Sequence, residues 1–402
     1  MKWETYKLKQ LCSEIVDCVN KTAPISDVPT PYKMLRTSDI RDGKINLENL
    51  NCVTKEVYEK WTRRGKLQKG DVIFTREAPL GEVGLVREEK NYFLGQRLVL
   101  FRANDKMCDG RFLMYSLLWH DNKQAIISKG VGSTVAHLRV PECENIEIKV
   151  PDLDVQHRIA DILSAYDDLI ENNQKQIKLL EEAAQRLYNE WFVDVRFPGH
   201  ENTEIVDGVP EGWSTSTVSE VSAVLRRGIS PKYNEKARGI VINQKCIRQT
   251  IVSYDEARTQ EKKYPAELEM MESDIVICST GAGTLGRVGQ IFEAKENVTL
   301  DSHVTLIRAN EKIGQQSLFW SLKMKQDYLM NAGKGSTNQL ELSRETIGNC
   351  EILIPERKIA EQVEKNFVAI HNKMKECSMQ IARLREARDL LLPKLMSGEV
   401  EV

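Results

Sequence analysis

The chain repeats itself, and this repeat constrains the fold more than any other feature of the sequence. "GDVIFTREAPLGEVGLV", from Gly70, resembles "SDIVICSTGAGTLGRVGQI", from Ser273. Further on, "LVLFRAN" matches "VTLIRAN", "KGVGST" matches "GKGST", "NIEIKVP" matches "NCEILIP", and "RIADIL" matches "KIAEQV". These pairs keep one order at an offset of about 200 residues, which indicates an internal tandem duplication. Both halves are therefore expected to fold alike.

Each copy divides into two parts with different periodicity. The first part alternates apolar and polar residues between Gly and Pro, which is typical of an α+β domain with much antiparallel sheet. The second part is a helix with a heptad stripe, which favours pairing with the helix of the other copy. The sequence thus predicts the α+β class, with two tandem α+β domains separated and joined by two long helices that form an intramolecular antiparallel coiled coil, pseudo-two-fold. The predicted limits are residues 1–150 and 199–354 for the domains, and 151–198 and 355–402 for the helical regions.

The first helix is expected from about His157 to Phe192, roughly 50 Å at 1.5 Å per residue. Its two seam positions hold Leu163, Ile170, Ile177, Ala184 and Trp191, and Ile159, Tyr166, Asn173, Leu180 and Leu187. Those of the second helix hold Phe367, Met374, Ile381 and Leu395, and Val363, Ile370, Cys377, Leu384 and Leu391. Asn173 and Arg388 are polar exceptions in these seams. The alternative is an amphipathic helix packed on its own domain.

Composition narrows the class of protein. Hydrophobic residues make up 41% and charged residues 29%, as in soluble globular proteins. No apolar run approaches the roughly 20 residues that cross a membrane, and "MKWETYKLKQ" lacks a secretory segment, so a cytoplasmic protein is expected. The nine cysteines include no C-x-x-C pair, which favours reduced thiols over a disulfide framework or a zinc site. A net charge of −2 means that any DNA binding would need a local basic surface.

Three segments carry a resemblance to a known family. They are "IKVPDLDVQHRIADIL", the helix "DDLIENNQKQIKLLEEAAQRLYNEWF" with the following "VRFPGHE", and the C-terminal "KIAEQVEKNFVAIHNKMKECSMQIARLREARDLLLPKLMSGEV". Over essentially its whole length the chain resembles the specificity subunit of type I restriction-modification systems. One departure is that the second copy lacks the "PDLDVQ" spacing and runs directly as "PERKIAEQ", so a shorter approach to its helix is expected.

The resemblance implies a function and a set of partners. Two target recognition domains would each read one half of a split site in double-stranded DNA. The paired helices would set the unspecified spacer and dock two methyltransferase subunits, and restriction subunits would join separately. The chain itself would perform no chemistry and bind no cofactor, whereas S-adenosylmethionine, ATP and Mg would belong to the partner subunits. No membrane partner is implied.

Signals for catalysis are weak. Gly281, Gly283 and Gly286 in "GAGTLG" satisfy G-x-G-x-x-G, but a nucleotide site needs a helix next, and "RVGQIFEA" has the pattern of a strand. A loop between strands is therefore predicted. "PECENIEIK" imitates the acid-x-lysine pattern of nucleases, although alternation on a strand explains it and the second copy reads "EIL". Neither a P-loop nor the N/D-P-P-aromatic motif of adenine methyltransferases occurs in the sequence.

Candidate DNA contacts come from polar loops, because Arg and Lys bind guanine and phosphates, while Asn and Gln suit adenine. The first copy offers Lys33, Arg36, Thr37, Arg76, Ser133, Thr134 and Arg139. The second offers Arg226, Arg227, Lys232, Tyr233, Asn243, Lys245, Lys334, Ser336, Thr337 and Asn338. The Gly-Ser-Thr stretch before each helix is the best candidate, since Gly lets backbone amides approach a phosphate. The cationic pair Arg226 and Arg227 comes next.

The two copies share an apolar framework and differ in their polar loops, so two unlike half-sites are predicted. A coiled-coil scaffold that binds proteins without reading DNA is the alternative.

Overall fold

The computed structural model describes residues 2–132, 136–333 and 340–402. The chain forms two compact units. The first consists of Met1–Glu171 with Ile381–Val402, and the second of Asn172–Gln380. Each unit therefore contains one α+β copy together with parts of both long helices. No helix within the described ranges is long and apolar enough to cross a membrane.

The described part of the first unit contains four small sheets of short strands, together with helices. Its strands are β1 (Glu4–Lys7), β2 (Cys12–Asp17), β3 (Lys33–Leu35), β4 (Ile40–Arg41), β5 (Lys44–Ile45), β6 (Asn51–Cys52), β7 (Val72–Thr75), β8 (Val83–Leu85), β9 (Tyr92–Leu94), β10 (Leu98–Ala103) and β11 (Glu147–Val150). Its helices are α1 (Leu8–Leu11), α2 (Lys55–Trp61), α3 (Gly110–Leu118), α4 (His120–Ser128), α5 (Val140–Glu144) and the start of α6 (Leu153–Tyr188).

The second unit follows a similar order after the end of α6, with an added pair β12-β13 and without helices at the positions of α1 and α2 among its described residues. Its strands are β12 (Ile205–Val206), β13 (Val209–Pro210), β14 (Ser214–Thr217), β15 (Ser222–Arg227), β16 (Gly239–Ile242), β17 (Arg258–Gln260), β18 (Ile275–Cys278), β19 (Val288–Gln290), β20 (Val298–Leu300), β21 (Val304–Ala309) and β22 (Glu351–Ile354). Its helices are α7 (Gln315–Met324), α8 (Gln326–Asn331), α9 (Arg344–Gly348) and most of α10 (Arg357–Ser397).

Three sheets of the first unit have counterparts of the same topology in the second, whereas β4-β5 and β12-β13 each occur in one unit. The main sheet runs β2-β10-β7-β8 in the first unit and β15-β21-β18-β19 in the second. A three-stranded sheet, β6-β3-β9 or β17-β16-β20, contains one parallel pair in each unit. The terminal pairs β1-β11 and β14-β22 also correspond. The duplication read from the sequence and the α+β class are thus confirmed at the level of strand order.

The long helices pair in opposite directions. In the first unit, Arg388 of α10 donates to the Asp167 carboxylate of α6 at 2.6 Å. In the second unit, the Cys377 thiol of α10 lies 3.6 Å from the amide oxygen of Gln176 on α6. Contacts that advance along α6 therefore go backwards along α10, and the predicted antiparallel coiled coil is confirmed. Asp167 also explains why the seam of α10 tolerates Arg388, because the guanidinium has a buried carboxylate to bind.

Both helices also pack into domain cores, as the alternative description proposed. Val155, Ile159 and Leu163 join the core of the first unit together with Leu395 and Met396. The other end of α6 enters the core of the second unit, where Ala184, Tyr188 and Trp191 lie with Val363 and Phe367. A pairing seam and a domain-facing side are therefore combined in the same helices.

The expected shorter approach to the second helix is wrong. α6 begins two residues after Pro151, and α10 begins two residues after Pro355. Arg158 comes seven positions after Pro151, whereas Lys358 comes three positions after Pro355, a difference of four. Because one helical turn takes 3.6 residues, this deletion removes about one turn from the start of α10, before "KIAEQV", and leaves its apolar side facing nearly the same way.

A buried histidine attaches α10 to the sheet of the second unit. His371 Nδ1 lies 3.0 Å from the amide oxygen of Gln290 on β19, and its ring lies 4.3 Å from that of Phe292. The nearby Glu272–Lys375 ion pair spans 2.6 Å. Burial lowers the pKa of His371 from 6.5 to about 4, so the imidazole is neutral near pH 7.

This histidine makes stability depend on pH in a defined window. The folded pKa lies below the unfolded one, so the unfolded state takes up the proton first, and stability is lost as the pH falls from about 6.5 to about 4. The loss from this group is at most about 3 kcal/mol. Urea unfolding from pH 4 to pH 8 should show a weaker pH dependence for His371→Asn than for wild type. The exposed His120→Asn serves as the control, and equal slopes for all three proteins would contradict the assignment.

Candidate nucleic-acid interface

Three segments meet at one end of each main sheet, where β7 and β2, or β18 and β15, finish; we call this the loop end. In the first copy the Arg76 amide donates to the Arg97 carbonyl at 2.8 Å, and the Leu138 amide donates to the Arg76 carbonyl at 3.0 Å. In the second copy the Ser279 amide donates to the His303 carbonyl, and the Leu342 amide donates to the Ser279 carbonyl, both at 2.8 Å. The backbone frame of the loop end is therefore the same twice.

The side chains on this frame differ. In the first copy Arg97 forms an ion pair with Glu77, with Nε and Oε2 3.3 Å apart. At the equivalent positions of the second copy, the Thr280 hydroxyl and His303 Nδ1 are 2.6 Å apart. One backbone frame thus presents a charged pair in one copy and a hydroxyl–imidazole pair in the other.

The predicted residues of the first copy divide between the loop end and the β3 region. Arg76 is at the loop end, but its guanidinium is bound to Asp17 and to the Leu138 carbonyl. Arg139 has a 72% exposed side chain and lies at the start of α5. The others lie around β3, where Lys33 contacts the Cys52 sulfur, Arg36 binds Asp39, and Thr37 opens the 3₁₀ turn Thr37–Asp39. Ser133 and Thr134 lie outside the described residues.

Of the six predicted residues of the second copy that the structure describes, four are exposed: Arg226, Lys232, Tyr233 and Lys245. Arg226 binds Glu267, and Lys232 binds Glu261. Tyr233 is 44% exposed, and the Arg258 guanidinium stacks 3.5 Å from the centre of its ring. Arg227 is bound at the loop end, and Lys245 is exposed on the 3₁₀ turn Gln244–Cys246. Lys334, Ser336, Thr337 and Asn338 lie outside the described residues.

Asn243 belongs to the fold. It is buried, its side-chain oxygen accepts from the Lys245 amide at 2.8 Å, and its side-chain nitrogen donates to the Glu256 carbonyl at 2.7 Å. The side-chain oxygen therefore caps the turn, as is usual for Asn at such positions, and the side-chain nitrogen ties the turn to Glu256. Asn243 therefore has a structural role in this fold, and its contact with a base stays a prediction.

Comparison with known proteins agrees with this duplicated architecture. The family described as "Type I restriction modification DNA specificity domain" matches residues 1–182 and 210–376, one match for each copy. The chain belongs to this family of specificity subunits. The resemblance drawn from the sequence is confirmed, and DNA sequence recognition is the function of this chain.

Relatives of this specificity subunit extend over most of its length. The type I restriction enzyme HindI specificity subunit of Haemophilus influenzae is 24% identical over 91% of this chain and 94% of the relative. The MjaIX specificity subunit of Methanocaldococcus jannaschii is 27% identical over 83% of this chain and 78% of the relative. The crystal structure of an S subunit from M. genitalium covers 98% of this chain and 96% of that chain, with a TM-score of 0.61 and 18% identity, and shares the fold.

Sequence reasoning missed several basic residues of this specificity subunit. Residues 221–263 contain ten Lys or Arg and four Asp or Glu, against a net charge of −2 for the whole chain. Arg238, Lys262 and Lys263 line an open cleft of about 630 Å³ together with Asn234 and Gln260. In the first copy, Lys60, Arg63, Arg64 and Lys66 are exposed around the end of α2. A count of charge by segment would have found both groups, whereas the search for loops did not.

The glycine-rich loop lies between strands, as the sequence predicted. β18 and β19 pair in antiparallel register on either side of it, with Ile277 opposite Val288. Nucleotide binding by G-x-G-x-x-G needs a helix N-terminus, and a strand stands in its place. Within the described residues no three His, Cys, Asp or Glu side chains are grouped to hold a metal ion. The arrangement offers hydrogen-bond donors, acceptors and positive charge, which is the chemistry of DNA recognition.

Proposed function

We propose that this chain reads a split DNA sequence, with one half-site for each α+β copy, and directs adenine methyltransferase and restriction subunits to it. The observation that carries the proposal is the loop end, where one backbone frame presents Glu77 and Arg97 in the first copy but Thr280 and His303 in the second. Equivalent positions with unlike donors and acceptors suit two unlike half-sites. The basic segment 221–263 supports phosphate binding next to one of them.

The proposal assigns the chemistry to partners. Two methyltransferase subunits would dock on the paired helices, and restriction subunits would join the same assembly. S-adenosylmethionine, ATP and Mg would be bound by those subunits and not by this chain. Calorimetry of this chain with S-adenosylmethionine and with ATP is expected to give no heat of binding. A saturable heat with either compound would contradict this assignment.

The direct test is the methylome of the host with and without this gene. One split motif should lose its N6-methyladenine when the gene is deleted and regain it on complementation. The purified complex with its methyltransferase partner should bind that motif more tightly than a duplex with either half scrambled. An unchanged methylome together with equal binding of all duplexes would reject the function.

Charge removal in the cleft of the second copy should weaken binding for any sequence. Arg238→Ala with Lys263→Ala is expected to lower the affinity of the complex and to make the plot of log affinity against log salt shallower by about 0.9 per lost phosphate contact. Lys106→Ala with Lys312→Ala removes the same charge from exposed positions outside the cleft and is the control. Equal slopes for the two double variants would show that the cleft does not contact phosphates.

A further inference from the structure

The segment that follows each Gly-Ser-Thr stretch is attached to the loop end by an arginine. In the first copy the Arg76 guanidinium donates to the Leu138 carbonyl at 3.1 Å and forms an ion pair with Asp17 at 3.0 Å. The Arg76 side chain is only 17% exposed. A buried carbonyl needs a donor, and a charged donor makes the stronger bond. Arg76 therefore fixes the position of Leu138 while it is itself held by Asp17.

The second copy makes the same attachment from a different strand. The Leu342 carbonyl accepts from Arg227 at 2.8 Å, and Arg227 also pairs with Glu341 at 2.9 Å. Leu342 is equivalent to Leu138. The amide of each leucine donates to the carbonyl of the first residue after a strand, which is Ser279 after β18 and Arg76 after β7. Two arginines at non-equivalent positions thus bind equivalent carbonyls.

Strand register shows how the two arrangements are related. Asp17 and Phe74 both lie opposite Val99 in the first copy. Arg227 and Ile277 both lie opposite Thr305 in the second. Arg227 therefore occupies the position of Asp17. Two residues after Ile277 stands Ser279, at the position of Arg76.

The residues at both of these positions differ between the two copies. Where the first copy has Asp17 and Arg76, the second has Arg227 and Ser279. Ser279 is fully buried, and its hydroxyl lies 2.6 Å from that of Thr305, so the site of the missing guanidinium is filled by a small hydrogen-bonded side chain. The carbonyl contact is kept while the residue that supplies it changes strands.

We propose that Arg76 and Arg227 are equivalent positioning residues, each of which sets recognition of its own half-site by fixing the segment that follows the Gly-Ser-Thr stretch. This inference rests on the proposed function. A segment held before DNA arrives loses less conformational entropy on binding, so loosening it lowers affinity and discrimination. Each effect is confined to one half of the site, since the partners of each arginine among the described residues belong to its own copy.

The test uses the complex with its methyltransferase partner and duplexes in which each half of the split motif is varied in turn. Arg76→Ser is expected to reduce discrimination at one half about tenfold and to leave the other half unchanged. Arg227→Ser should do the same at the opposite half. Each variant thereby provides the matched control for the other, and thermal unfolding of both checks that they are folded.

The decisive variant transplants the second arrangement into the first copy. Asp17→Arg with Arg76→Ser should recover discrimination to within about threefold of wild type, whereas Asp17→Arg alone, which places two guanidinium groups together, should not. A double variant no better than Arg76→Ser would overturn the inference, as would equal losses at both halves in the single variants. If the wild-type complex shows no preference for a split motif, both the proposed function and this inference are wrong. If the wild-type complex shows that preference and the two serine variants keep it unchanged, only the inference is wrong.

Discussion

Asp167→Ala is expected to lower the free energy of unfolding by about 3 to 5 kcal/mol, because it removes one partner from a buried charge pair. The Asp167 carboxylate is buried and accepts from the Tyr115 hydroxyl at 2.6 Å and from the Arg388 guanidinium at 2.6 Å. Without it, Arg388 keeps a charge that is 19% exposed and lacks its buried partner. Urea unfolding monitored by circular dichroism would measure the loss.

Two further variants separate the buried pair from the surface charge beside it. Asp389 also binds Arg388, but its side chain is 61% exposed, so Asp389→Ala should cost at most about 1 kcal/mol. Asp167→Asn with Arg388→Met removes both charges, keeps an acceptor for the Tyr115 hydroxyl and should recover most of the loss. If the two single variants were equally stable, the pair would not contribute to the helix pairing.

Gly286→Ala should be the more damaging of two substitutions in the same glycine-rich loop. Gly283 and Gly286 both have left-handed backbone, with φ of 74° and 76°. A Cβ at Gly283 would meet nothing within 4 Å, whereas at Gly286 it would lie 2.5 Å from the Met330 backbone nitrogen and 2.7 Å from the Leu329 carbonyl carbon. We expect a loss of about 1 to 2 kcal/mol for Gly283→Ala from the backbone conformation alone. Gly286→Ala should lose about 2 to 5 kcal/mol in total, because a clash with α8 adds to that conformational cost.

Thermal unfolding of the two variants measures how much the contact with α8 adds to the cost of the left-handed backbone. The glycine spacing that imitates a nucleotide site is explained at Gly286 by the close approach of α8, and at Gly283 by backbone conformation. Equal stability of the two variants would show that the contact with α8 does not constrain the loop.

The fold could be predicted because its signals are local or repeated. The heptad seams of α6 and α10, the strand after "GAGTLG" and the matching order of the two halves all follow from periodicity or self-similarity. The start of α10 was harder, since a four-residue deletion could fall in the approach or in the helix, and only the position of Pro355 relative to Arg357 decides this. The predicted domain limits remain predictions.

The candidate interface was less predictable because long-range contacts decide which polar side chains are available. Arg76 is fixed by Asp17 across 59 positions, and Arg227 by Leu342 across 115. The Asn243 side-chain nitrogen donates to the Glu256 carbonyl 13 positions away, a contact that the sequence does not reveal. Arg97 and His303 escaped notice because they precede strands rather than lie in the glycine-rich loops.

The relocated arginine limits how the two halves of this gene could recombine. A hybrid domain that joined the first copy through β2 to the second copy from β18 onward would combine Asp17 with Ser279 and have no guanidinium for the carbonyl of Leu342. The reciprocal hybrid would bring Arg227 against Arg76, with two cations competing for one acceptor. Crossovers within a domain should therefore yield hybrid proteins with a defective loop end. Exchange of a whole domain keeps each arginine together with the carbonyl that it binds.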